Sequence, residues 1–67
     1  MSVGENIRRI RQERGISQEK LARDAGISGP MLCQIERGTK NPSLQVAREI
    51  ARQLGCRTED FFDEPEG

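Results

Sequence analysis

The sequence predicts an all-α fold, a bundle of five short helices. Three observations carry that expectation. Hydroxyl residues and glycines alternate as helix starts and stops: Ser2, Ser17, Ser28, Ser43 and Thr58 can cap the free N–H groups of a first turn, and Gly15, Gly26, Gly38 and Gly55 can end a helix in the left-handed conformation. Between these signals the apolar residues recur at the three- and four-residue steps of one helical face. No stretch of useful length alternates apolar and polar residues as a half-buried strand would.

Pairing starts with stops gives helices over about 3–14, 18–25, 29–37 and 44–54, and a fifth over about 59–63 that Pro65 ends. Ser2 with Glu5 fits a capping box at the first start. The first helix offers Ile7 and Ile10 to the core. The second offers Leu21, Ala22 and Ala25, and Ile27 fills the turn after it. The third offers Leu32 and Ile35, and the fourth Leu44, Ala47, Ile50, Ala51 and Leu54. Phe61 and Phe62 close the bundle from below. The small Ala22 and Gly26 fit a close crossing of the second and third helices near their turn. One domain over 1–63 is expected, with a frayed acidic tail over 64–67.

With 67 residues the chain makes one domain at most. Such a domain buries only roughly 60% of its unfolded surface, which leaves no room for a core and a deep catalytic cleft together. There is no histidine, so the usual Cys/His zinc sites are excluded and no metal is expected. Cys33 and Cys56 do not make a disulfide framework. No nucleophile–base pair and no phosphate-cradling glycine loop is present, so neither an enzyme nor a bound cofactor is expected. The start MSVGENIRRIR lacks the apolar run of a signal peptide, and nothing approaches the roughly 20 apolar residues of a membrane span, so a cytoplasmic location is expected.

The formal net charge of zero hides a split. From Thr58 onward there are five acids (Glu59, Asp60, Asp63, Glu64, Glu66) and no base. Everything before Thr58 therefore holds all 11 bases against six acids, a balance of +5. That asymmetry suggests a basic working face beside an acidic end. Two charges fall on inner stripes. Arg11 follows Ile7 and Ile10, and Glu36 follows Leu32 and Ile35. A charge turned toward a core needs a partner, so Arg11 and Glu36 are expected to pair and to tie the first helix to the end of the third.

The segment from Ser17 to Gly38 spells two short helices joined by a three-residue turn, the spacing of a helix-turn-helix. Its second helix carries an outward stripe that folding does not need: Gly29, Pro30, Cys33, Gln34 and Arg37. In DNA-binding proteins such a helix lies in the major groove with its first turns toward base edges. Gln34 has a base-reading mechanism, because its amide donates and accepts together and so matches adenine N6 and N7. An ordinary exposed glutamine is the plainer account of Gln34 alone. Gly29 and Pro30 have no hydrogen-bonding side chain. They either let the helix sit deep in the groove, with Pro30 or Met31 on a thymine methyl, or simply start the helix. In the second case specificity leans on Ser28, Gln34 and DNA shape. Cys33 is expected to be a small side chain near DNA rather than a redox switch, since nothing around it in sequence beyond the helix itself argues for a lowered thiol pKa.

Phosphate contacts are expected on both flanks. Ser17 and Gln18 open the second helix, where free N–H groups and the helix dipole favour an anion. Arg37, Thr39, Lys40, Asn41 and Ser43 form a polar connection into the fourth helix that can clamp a phosphate on the other side. Arg9 and Arg14 add longer-range attraction.

At these residues the chain resembles the phage Cro and lambda-repressor-type helix-turn-helix regulators, also called the xenobiotic-response-element type. The resemblance rests on the SQEKLA opening of the second helix, the AGIS turn, the QIERG end of the third, the NPS entry to the fourth and the LGCRTEDFF ending, over about residues 4–62. It implies a compact five-helix lambda-repressor-like domain that regulates transcription and binds a palindromic operator in double-stranded DNA as a homodimer. By position, the family's phosphate-binding glutamine matches Gln18, its base-reading positions match Ser28, Gly29, Pro30, Cys33 and Gln34, and its internal Arg–Glu pair matches Arg11 and Glu36. The dimer surface is expected near Leu54, Cys56, Arg57, Thr58, Phe61 and Phe62. Gly29-Pro30 departs from relatives that place longer polar side chains there. That departure and the zero net charge leave a rival reading, a protein-interaction module on the same fold.

Overall fold

The computed structural model describes residues 2–62, which form five helices: α1 (Val3–Glu13), α2 (Gln18–Ala25), α3 (Gly29–Arg37), α4 (Leu44–Leu54) and α5 (Glu59–Phe62). There is no strand among the described residues. The expected segment 64–67, Asp63 and the helix stop at Pro65 lie outside them.

The helix starts are built by serine hydroxyls. Ser17, Ser28 and Ser43 each sit in extended conformation and accept the N–H of the third helical residue, Lys20, Met31 and Val46 respectively. Ser2 does the same for Glu5, and the Glu5 carboxylate accepts the Ser2 N–H in return at 3.0 Å, which completes the capping box. Those bonds hold the Glu5 carboxyl below its ordinary pKa.

The stops share one geometry. In the turn between α2 and α3, Gly26 adopts φ 75° and ψ 28°, a left-handed conformation that a Cβ would disfavour. The N–H of Gly26 then reaches the Arg23 carbonyl and that of Ile27 the Ala22 carbonyl, at 3.2 and 2.9 Å. The same pair of bonds closes α1, α3 and α4. Helix α1 ends at Glu13 rather than at residue 14, because Arg14 forms the cap and Gly15 the left-handed step.

Packing follows the inner stripes. Helix α2 lies against α3 and α4, and α1 against α3, α4 and α5. Ile7, Leu21, Leu32, Ile35, Ile50 and Phe61 are wholly enclosed at their centre. Ile16, Ile27, Met31 and Cys56 pack around them, half-buried. Two residues expected in the core are outside it. Leu44 is 65% exposed, because the α4 stripe runs past the end of the bundle at the first position of the helix. Phe62 is 57% exposed, because neighbouring residues on a helix point about 100° apart and Phe61 takes the inner direction.

Two further residues join α1 to the rest, and no local pattern marks either of them. An added Cβ on Gly4 would lie 2.0 Å from the Ile35 carbonyl oxygen, so α1 meets the end of α3 backbone to backbone. Asn6 is buried and donates its Nδ2 to the Phe61 carbonyl at 2.7 Å, which fastens the four-residue α5 to α1.

Candidate nucleic-acid interface

Helix α3 is locked from behind and free in front. Leu32 and Ile35 bury its inner side, and Gly4 fixes its end. On the outer side Pro30, Gln34 and Arg37 are exposed, with Gly29 and Cys33 half-buried beside them. Ser28 is exposed, and its Oγ accepts the Met31 N–H at 3.1 Å, so its hydroxyl proton is still available to a ligand. The base-reading residues expected from sequence thus lie together on one surface. Of them, Gln34 alone presents an amide, and none of its side-chain donors or acceptors is used within the described residues.

The Arg11–Glu36 pair sits behind this surface. Arg11 Nε donates to Glu36 Oε2 at 2.8 Å and Arg11 Nη2 to Oε1 at 3.1 Å, a bidentate fork. Arg11 Nη1 also donates to the Ile16 carbonyl at 2.9 Å. The Glu36 carboxylate accepts a third bond, at Oε1 from Gln18 Nε2 at 3.1 Å. One network therefore joins α1, the start of α2 and the end of α3.

The expected phosphate residues divide by what they already do. Ser17 and Ser43 accept a backbone N–H and keep a hydroxyl proton free. Gln18 spends one of its two amide hydrogens on Glu36. Arg37, Lys40 and Asn41 are exposed, and Arg37 lines the same cleft as Gln18 instead of lying on the opposite flank. Thr39 is different. Its Oγ1 donates to the Gln34 carbonyl at 3.2 Å, and its N–H reaches the same oxygen, so in this geometry it caps α3 and has no donor left for a phosphate. The longer-range pair is also committed. Arg9 bonds Glu13 and Asn6, and Arg14 Nε donates to the Leu54 carbonyl at the end of α4. Sequence reasoning passed over Arg8, which shares a face of α1 with Arg11 at a three-residue step. Arg8 lines an open polar cleft of about 350 Å³ together with Arg11, Gln18, Cys33, Glu36 and Arg37.

The expected dimer surface is narrower than sequence suggested. Leu54 and Phe61 are 3% and 0% exposed and fill the protomer's own core. Arg57 and Phe62 face outward, with Cys56 and Thr58 half-buried. Burial raises the Cys56 thiol pKa, and nearby Asp60 adds to the rise. Both cysteines are free thiols. No group of three or more metal-ligating side chains gathers among the described residues, and no described helix is long and apolar enough to cross a membrane.

A family model described as Helix-turn-helix matches residues 7–61. The chain belongs to the helix-turn-helix family of transcriptional regulators. An uncharacterized HTH-type transcriptional regulator of Archaeoglobus fulgidus is 41% identical over 56 residues, which cover 84% of this chain and 80% of the relative. The control protein C.BamHI of Bacillus amyloliquefaciens is 38% identical over 61 residues, 90% of this chain and 75% of the relative. The immunity repressor protein of Bacillus phage phi105 is 39% identical over 64 residues, 96% of this chain. This helix-turn-helix chain spans 44% of the length of that repressor and 49% of the regulator DdrOP3 of Deinococcus deserti, so it corresponds to about half of each. Among solved structures, the N-terminal DNA binding domain of SinR from Bacillus subtilis superposes with a TM-score of 0.87 at 32% identity, covering 97% of this chain and 96% of that one. The DNA-binding domain of the P22 c2 repressor gives a TM-score of 0.89 at 26% identity, covering 92% and 82%. The fold is thus that of the lambda- and P22-type repressor domains, and the family is not an enzyme family.

Proposed function

We propose that this chain is a sequence-specific DNA-binding repressor that binds a palindromic operator as a homodimer, with α3 in the major groove. The observation that carries the reading is the outer side of α3: a rigidly backed helix whose exposed side chains, Pro30, Gln34 and Arg37, make no hydrogen bond or ion pair among the described residues. Ser28, Gly29, Pro30, Cys33 and Gln34 read bases, and Gln34 supplies the amide that matches adenine. Ser17, Gln18, Arg37, Lys40, Asn41 and Ser43 hold phosphates on the flanks. The likeness to two DNA-binding domains and to a phage immunity repressor supports the same reading. The second copy docks on the surface formed by Cys56, Arg57, Thr58 and exposed Phe62, and sets the two α3 helices about 34 Å apart, one turn of DNA.

A selection from random duplexes at moderate salt tests this. Recovery of an inverted repeat with half-sites about 10 base pairs apart supports the dimeric reading. No enrichment, with no affinity for any duplex at low salt, overturns it. Gly29 and Pro30, which bring no side-chain donor or acceptor to the surface, favour a second reading in which α3 docks on a protein. Salt separates the two, because phosphate contacts make log K fall steeply with log salt.

A further inference from the structure

The cleft beside α3 assigns a use to the one arginine of the first helix that nothing else explains. Arg8, Arg9 and Arg11 lie on α1 and Arg14 caps it. Arg9, Arg11 and Arg14 are all committed to protein oxygens. Arg8 is exposed and makes no ion pair or side-chain hydrogen bond among the described residues. Across the cleft Arg37, the last residue of α3, is likewise exposed and unpaired there. The floor between them is the Arg11–Glu36 fork, which neutralises itself. Three guanidiniums against one carboxylate leave the lining two charges positive.

The rest of the lining suits a tetrahedral oxyanion. Gln18 Nε2 is anchored on Glu36 Oε1 at 3.1 Å, which orients the amide and leaves its second N–H unspent. Half-buried Cys33 lines the cleft of about 350 Å³ with a short side chain, where a longer one would intrude. Planar guanidinium forks match phosphate oxygens in pairs. Cys33 and Arg37 belong both to the cleft and to the outer stripe of α3, so an anion in the cleft lies at the edge of the reading surface.

We propose that the cleft between α1 and α3 takes a backbone phosphate of the bound duplex, held by Arg8 and Arg37 with Gln18 as the neutral donor. This rests on the DNA-binding reading above. It extends the footprint onto α1, where sequence placed only diffuse attraction.

The test is the salt dependence of duplex binding, by fluorescence anisotropy, for the intact chain, Arg8→Gln and Arg52→Gln. Circular dichroism confirms that each variant is folded, and Arg8 is an exposed helical position where Gln is well tolerated. Arg8→Gln is expected to reduce the slope of log K against log salt by about 0.9, the value of one phosphate contact, and to weaken operator and random duplexes by the same factor. Arg52→Gln, in the last turn of α4 and outside the cleft, is expected to leave the slope unchanged. In a second arm inorganic phosphate is titrated without DNA while the Arg8 and Arg37 side-chain Nε–H signals are followed by NMR. A steep slope in the intact chain that Arg8→Gln does not change overturns the proposal and leaves the DNA-binding reading standing. Saturation by inorganic phosphate in the low millimolar range, with the duplex slope unmoved by Arg8→Gln, assigns the cleft to a free ligand instead. An intact chain without duplex affinity removes both readings together.

Discussion

Breaking the Arg11–Glu36 fork from one side should cost far more than removing both partners. The pair is 9% and 6% exposed by residue, so each charge relies on the other for what water would otherwise supply. In Arg11→Met the Glu36 carboxylate keeps only the Gln18 amide as a donor and is left a buried anion. A loss of about 3–5 kcal/mol is expected. In Glu36→Leu the guanidinium keeps its bond to the Ile16 carbonyl, and its long stem can carry the head toward the open cleft, so the loss is smaller, about 2–3 kcal/mol. The double variant removes the unpaired charge altogether and should lie within about 1–2 kcal/mol of the intact chain, because apolar replacement of a buried pair is often close to neutral. A chain of this size has about 3–10 kcal/mol of stability in all. At about 4–8 °C per kcal/mol, Arg11→Met should therefore lower Tm by more than about 12 °C. Urea and thermal denaturation of the four proteins, followed by circular dichroism, close the cycle. Additive losses, with a coupling below about 0.5 kcal/mol, would show that the fork is wet and energetically idle, and the reasoning fails.

Further outcomes follow from the same contacts. Gly4→Ala should destabilise by about 1–3 kcal/mol although alanine is the better helix former, since the new Cβ would strike the Ile35 backbone oxygen, which has no rotamer to move; a rise in the urea midpoint would refute this close approach. Asn6→Ala should cost about 1–3 kcal/mol and speed hydrogen exchange in α5 more than in α4, because the Phe61 carbonyl loses its donor; uniform exchange across the fold would contradict that role. Gln34→Ala should lower operator affinity by about 1–3 kcal/mol and leave random-duplex affinity nearly unchanged; equal losses on both would count against base reading. Lys40→Ala should weaken all duplexes alike and flatten the salt slope by about 1, and an unaltered slope would take Lys40 out of the phosphate set.

Helix limits and the inner stripes could be read from the chain because they are local physics. A serine hydroxyl and a glycine act on backbone groups within a few residues, so Ser17, Gly26, Ser28 and Gly38 mark the helix-turn-helix without reference to anything distant. Periodicity likewise separated Leu32 and Ile35 from Gln34 and Arg37 on one short helix. What periodicity cannot say is where a neighbouring helix stops. Leu44 has the right spacing and the wrong surroundings, and Phe62 lost its place inside to Phe61. The same blindness assigned Leu54 and Phe61 to a partner when the protomer uses them itself. Tertiary structure alone decided which arginines are free, because commitment depends on oxygens far along the chain. Arg14 is held by a carbonyl 40 residues away and Arg11 by a carboxylate 25 residues away, while Arg8 meets no such oxygen among the described residues. Gly4 and Asn6 acquire their importance in the same manner, from the approach of α3 and α5 to α1, which no local pattern encodes.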